Sequence, residues 1–223
     1  MYKLLFIDEE LDDIEDFKDY IEEKDLEDLF EVKSIYPLDN LEDMIEEIIS
    51  IYPDAIVTDF MLNEIKTSIK YNVPYNGTQL VKTFLEIRED FPCFVLTSFD
   101  DQAVSESDDV NIVYIKGILH GSEKGTKAKA NFVDRVKNQI IHYQIKLEKA
   151  ETRLIELITK SEKDILDAPE KDELLKLDSL IENALDKKSN ISRIAKLEMQ
   201  SEPLSELLNK VDELTKSLKD SNE

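Results

Sequence analysis

Short apolar runs alternate with amphipathic helical stretches through the first 120 residues, and this alternation limits the fold more than any other feature of the chain. The runs are YKLLFID, FEVKSIY, DAIVTD, CFVLTS and VNIVYIK. Each has strand length and little room for a helical turn. Between them, Asp12 to Glu23 carries Ile14, Phe17 and Ile21 at helical spacing. NLEDMIEEIISIYP places Leu41, Met44, Ile45 and Ile48 on one face behind a capping Asn40, and GTQLVKTFLEIREDFP forms a third helix. Only Asp101 to Asp109, before the fifth strand, has a weak helical pattern. Strands separated by helices predict a parallel sheet built from βαβ units.

From Asn131 the pattern changes. Val133, Val136, Ile140, Tyr143, Leu147, Ala150, Leu154 and Leu157 recur at alternating spacings of three and four. Four such heptads predict a coiled coil or a long bundle helix over Asn131 to Leu166, roughly 54 Å at 1.5 Å per residue, broken by Pro169. Ile141, Ile155 and Ile158 widen the apolar face, and further helices are expected at Leu174 to Leu185 and Leu204 to Leu218. The expected domains are residues 1–125, α/β, and residues 126–223, all-α.

Charge bears on the partners. Residues 1–125 hold 31 Asp and Glu against 10 Lys and Arg, while residues 126–223 hold 20 against 18. An acidic surface repels phosphate backbones, which argues against nucleic acid; the helical part has only Tyr143 and Phe132 as aromatics for stacking. The net charge and the heptads also disfavour a DNA-binding helix-turn-helix. No apolar run approaches the ~20 residues of a membrane span. The start, MYKLLFIDEE, lacks the parts of a signal peptide, so a cytoplasmic protein is expected. Cys93, the single cysteine, excludes an internal disulfide and reads as a small core residue. With 4 glycines in the chain, neither half carries a Gly-rich nucleotide loop.

In an open α/β sheet, ligands bind outside the carboxyl ends of the strands. Strand one ends in Asp8, Glu9 and Glu10, strand three in Asp59, strand four in Thr97 and Ser98, and strand five in Lys116. An acid at the end of a buried strand is costly unless paired, so acids, a hydroxyl and a lysine on one rim point to chemistry.

On FIDEE, PDAIVTDFM, FVLTS and VYIK, residues 1–120 resemble the receiver domain of two-component response regulators. The resemblance implies a flavodoxin-like doubly wound five-stranded parallel sheet, here followed by a helical or coiled-coil output region. It implies Asp59 as phosphoacceptor, Asp8, Glu9 and Asp59 as Mg²⁺ ligands with the Met61 backbone carbonyl, Thr97 as a hydrogen-bond donor to the phosphoryl group, and Lys116 as its counter-charge. It also implies a sensor histidine kinase or phosphotransfer protein as donor, and a signalling protein rather than an enzyme. The chain departs from the family in several places. Glu9 is a longer ligand than Asp, and Gly77 follows an enlarged loop after Asp59. Gly117 stands where Pro is usual, and the usual switch aromatic is Val113, with Tyr114 beside it. His120 falls in a loop, and His142, on the long helix, lacks the surroundings of a phosphotransfer histidine. Met61 and Phe99, apolar and two residues after Asp59 and Thr97, predict slow loss of the phosphoryl group. The output expected is protein–protein interaction through the helical region, with a homodimer over residues 131–166. Alternatives are a phosphorelay intermediate or phosphate sink and, behind these, an RNA-binding antiterminator or an unphosphorylated scaffold.

Overall fold

The computed structural model describes residues 1–62, 73–98, 105–107, 109–118, 132–161, 163 and 165–185. The strands are β1 (Tyr2–Ile7), β2 (Phe30–Ile35), β3 (Ala55–Asp59), β4 (Cys93–Thr97) and β5 (Val113–Ile115). The helices are α1 (Leu11–Glu23), α2 (Leu41–Ile51), α3 (Gly77–Ile87), α4 (Phe132–Ser161) and α5 (Ala168–Leu185), and single 3-10 turns flank β5. All strand pairings are parallel, in the order β2-β1-β3-β4-β5. That is the doubly wound flavodoxin-like order; the parallel pairing is expected from the βαβ pattern and the flavodoxin-like order from the resemblance to receiver domains.

The strands alternate, and each face of the sheet has its own core. Leu5, Ile7, Ile56, Cys93 and Val95 pack with Met44, Ile45 and Ile48 of α2 and Leu80, Val81 and Phe84 of α3. Leu4, Phe6, Ala55, Val57, Phe94 and Leu96 pack with Ile14, Phe17 and Ile21 of α1 and with Phe132, Val133, Val136 and Ile140 of α4. Phe6 and Phe17 stack at 4.4 Å. Burial pushes the Cys93 thiol pKa well above its ordinary value, which leaves it a packing residue without thiolate chemistry.

Three details differ from the sequence reading. The fifth strand is only three residues long, because the Asp109 carboxylate accepts from both the backbone and the side chain of Asn111, at 2.9 and 2.7 Å, and turns the chain there. Pro169 opens a helix instead of breaking one. Asp167 accepts from Glu170 N–H at 2.8 Å, and Glu170 accepts from Asp167 N–H at 3.1 Å; this capping box puts Pro169 in the first turn, where a missing N–H costs nothing. The third difference concerns the heptad seam. Val133, Val136 and Ile140 are buried in the core of the sheet domain, so this half of the seam cannot face a second chain.

The chain forms two compact units, Met1–Lys149 and Ala150–Glu223, dividing within α4. In the second unit Ala150, Leu157, Leu166, Leu175 and Ala184 are buried. Arg153 joins α4 to α5 through both Glu173 carboxylate oxygens, at 2.9 and 3.0 Å. Ile155 and Ile158 stay exposed. Among the described residues no helix is long and apolar enough to cross a membrane. The helix expected at Leu204 to Leu218, most of Asp101 to Asp109, His120 and Phe99 lie outside the described residues.

Candidate functional site

The strand order reverses between β1 and β3, and the candidate residues gather at the carboxyl ends of those two strands. The apolar run of β1 stops at Ile7, and Asp8 follows directly. One Asp8 oxygen accepts from Glu10 N–H at 2.9 Å, which turns the chain into α1. Asp59 is the last residue of β3, opposite Leu96 of β4, and its Oδ2 accepts from Met61 N–H at 2.7 Å. Asp8 is fully buried, and Glu9, Asp59 and Thr97 are also buried. One carboxylate oxygen each from Asp8, Glu9 and Asp59 lies within 4.8 Å of the others. Thr97 ends β4 one residue beyond the Asp59 partner.

Lys116, in the 3-10 turn after β5, reaches back into this cluster. Its Nζ stands 2.7 Å from Asp59 Oδ1 and 3.3 Å from Asp8 Oδ2, and it also donates to Asp13 Oδ2. Three carboxylates match the three donors of an ammonium. Burial pushes the Asp8 pKa up to about 7; the charges of Asp59 and Asp13 add to this, while Lys116 and the Glu10 N–H oppose it. Burial alone would lower the Lys116 pKa, but the charges of Asp59 and Asp8 and the hydrogen bonds Lys116 donates to Asp13 and Asp59 hold it above its ordinary value. Lys116 is therefore held as an ammonium at neutral pH.

The sequence reading placed Asp8, Glu9, Asp59, Thr97 and Lys116 on one rim. The structure puts Asp8, Glu9, Asp59 and Lys116 in direct proximity, with Met61 beside Asp59. His142 is exposed on α4. Two residues have a part in the site which that reading did not give them. Asp13 is one of four acids in the first half of α1, and nothing in their spacing tells which one faces the sheet rim.

Gly77 is the second. A Cβ there would lie 2.0 Å from the Asp59 carbonyl oxygen, and the Gly77 N–H donates to Phe60 O at 2.9 Å. The glycine lets α3 start directly against the end of β3 despite the long connection before it. An Asn76–Gln79 capping box fixes that start, and Asn76 Nδ2 also donates to Glu106 at 2.6 Å. Tyr114, beside the expected switch position, points away from the α2–α3 face. Its ring lies 5.1 Å from Phe132 and 6.0 Å from Phe94, with the Arg135 guanidinium over it at 5.8 Å.

The carboxylates of Asp8, Glu9 and Asp59 are a hard-oxygen donor set, and their closeness concentrates negative charge that a divalent cation would offset. The residues present fit Mg²⁺.

No protein-family model matches the chain, and no curated protein matches it. Among solved structures it is similar to a yeast Spc42 trimeric coiled-coil segment fused to another structure, at 16% identity, 71% of this chain, 97% of that chain and a TM-score of 0.42. The signal receiver domain of a modulated diguanylate cyclase from Desulfovibrio desulfuricans matches at 14% identity, 66% and 98% coverage and a TM-score of 0.41. The anti-anti-sigma factor PhyR from Bartonella quintana matches at 13% identity and a TM-score of 0.42; the match covers 67% of this chain and about half, 51%, of that one.

Proposed function

We propose that the chain is a response regulator that accepts a phosphoryl group on Asp59 and signals through protein contacts of its helical region. The observation that carries this reading is the buried group of Asp8, Glu9 and Asp59 at the strand-order reversal, with the Lys116 ammonium 2.7 Å from Asp59 Oδ1. A carboxylate is a weak nucleophile and needs neutralised surroundings to take a phosphoryl group.

Asp8, Glu9, Asp59 and the Met61 carbonyl would hold Mg²⁺, which when bound offsets charge on the transferring oxygens. An Asp59 oxygen forms a bond to the donor phosphorus. The bond from phosphorus to the donor nitrogen or oxygen breaks, and the leaving group takes its electron pair and then a proton. Lys116 shifts from Asp59 Oδ1 to a phosphoryl oxygen, and the Thr97 hydroxyl donates to another. Burial around Asp59 keeps bulk water from the acyl phosphate. In cells the donor would be a sensor kinase or phosphotransfer protein.

Movement of Lys116 pulls on Tyr114, two residues earlier, whose ring rests on Phe132 in the first turn of α4. That contact gives the signal a path into the long helix. A second chain or an effector would then read the exposed part of the helical region, which includes Ile155 and Ile158. The test is intact-protein mass after incubation with acetyl phosphate, with and without Mg²⁺. Wild type should gain one phosphoryl group only with Mg²⁺, and Asp59→Asn should gain none; equal gain by the variant defeats the assignment.

A further inference from the structure

We infer that Asp13 is a positioning residue for Lys116, a fourth carboxylate that strengthens the pull of the rim on a divalent cation and slows entry of an anionic phosphoryl donor. The donor half rests on the proposed role of Asp59; the cation half stands without it. Asp13 lies outside the Asp8, Glu9 and Asp59 oxygen cluster, on the first turn of α1. It nevertheless shares the Lys116 ammonium with Asp8 and Asp59, and its side chain keeps 29% of its surface open to solvent. It therefore acts on the cluster through Lys116 and through its own charge.

With Asp8 ionised, as it must be to ligate a divalent cation, one ammonium faces four carboxylates, Asp8, Glu9, Asp13 and Asp59. Neutralising Asp13 then reduces the excess from three negative charges to two. A unit charge acting across a partly solvated site changes an equilibrium by roughly three- to tenfold. Removing it weakens attraction for Mg²⁺ and eases the approach of a phosphoryl anion. It also frees one of the three Lys116 donors for the incoming oxygens. The two effects have opposite signs. A purely structural role for Asp13 would instead degrade binding and reaction together.

The experiment uses the full chain as wild type, Asp13→Asn and Asp13→Glu. Mg²⁺ affinity is measured by titration calorimetry, and the initial rate of phosphoryl uptake from phosphoramidate is measured at saturating Mg²⁺. Asp13→Asn should weaken Mg²⁺ binding roughly three- to tenfold and raise the rate at saturating Mg²⁺ by a similar factor. Asp13→Glu, which keeps the charge, should stay close to wild type in both. Unchanged Mg²⁺ affinity in Asp13→Asn overturns the inference, as does a fall in both quantities or an Asp13→Glu that behaves like Asp13→Asn. If wild type takes up no phosphoryl group, the reading of Asp59 fails separately, and the calorimetry alone decides the role of Asp13.

Discussion

Replacing Gly77 with alanine sets two effects against each other. In a helix, alanine is favoured over glycine by about 1 kcal/mol. At Gly77 the added Cβ would stand 2.0 Å from the Asp59 carbonyl oxygen, 3.0 Å from its carbonyl carbon and 3.1 Å from Thr58 Cγ2. Two of these neighbours are backbone in the sheet core, so α3 must retreat. Overpacking of this kind costs about 1–3 kcal/mol or more. Retreat also stretches the 2.9 Å bond from Gly77 N–H to Phe60 O, worth about 1 kcal/mol. The clash and the lost bond outweigh the propensity gain, leaving a net destabilisation of about 1–3 kcal/mol. With a urea slope of about 2 kcal/mol/M, the unfolding midpoint falls by about 0.5–1.5 M. Urea titration followed by circular dichroism reads this directly. A Gly77→Ala variant as stable as wild type, or more stable, would mean that propensity wins and that the close approach does not constrain the end of β3.

Three more outcomes follow from the same geometry. The Asp8 pKa is raised from 3.8 to about 7, so its protonated form is favoured in the folded state; metal-free protein should lose stability on the order of a few kcal/mol as pH rises from about 4 through 7, and Asp8→Asn should flatten that slope in urea titrations across pH. Ile140→Ala should cost about 2–5 kcal/mol independently of protein concentration, whereas exposed Ile155→Ala should stay within about 0.5 kcal/mol; a concentration-dependent midpoint for Ile140→Ala would return that position to a two-chain seam. Once phosphorylated, the protein should keep the group for long periods, and Met61→Asn should speed its loss by giving attacking water a hydrogen-bond partner; equal decay rates in a phosphate-release assay would count against that.

The sheet was legible because buried parallel strands show as short apolar runs, and helices that cover them show one apolar face. Asp8, Asp59 and Lys116 stood out because each is an ionisable residue set directly after such a run, where burial is costly unless opposite charges meet. Asp13 did not, since it is one of several acids on α1 and only the fold tells which one meets Lys116. The seam at Val133, Val136 and Ile140 was legible as an apolar stripe but not in its partner, because a helix packing on a sheet and a helix packing on its twin need the same spacing. Pro169 was read as a stop, although Asp167 and Glu170 three residues apart already marked a helix start. Gly77 stood out only as a glycine far from Asp59 in sequence; that α3 begins against the Asp59 carbonyl is a tertiary contact with no local trace.

If Asp59 carries the phosphoryl group, the acyl phosphate can be located chemically. Wild-type protein is incubated with phosphoramidate and Mg²⁺, reduced with borohydride and digested, and the peptides are sequenced by mass spectrometry. Reduction converts a phosphorylated aspartate to homoserine and leaves free carboxylates unchanged. The proposed function predicts homoserine at position 59 alone, absent when Mg²⁺ is withheld. Homoserine at Asp8 or Asp13, or at no position, would contradict it.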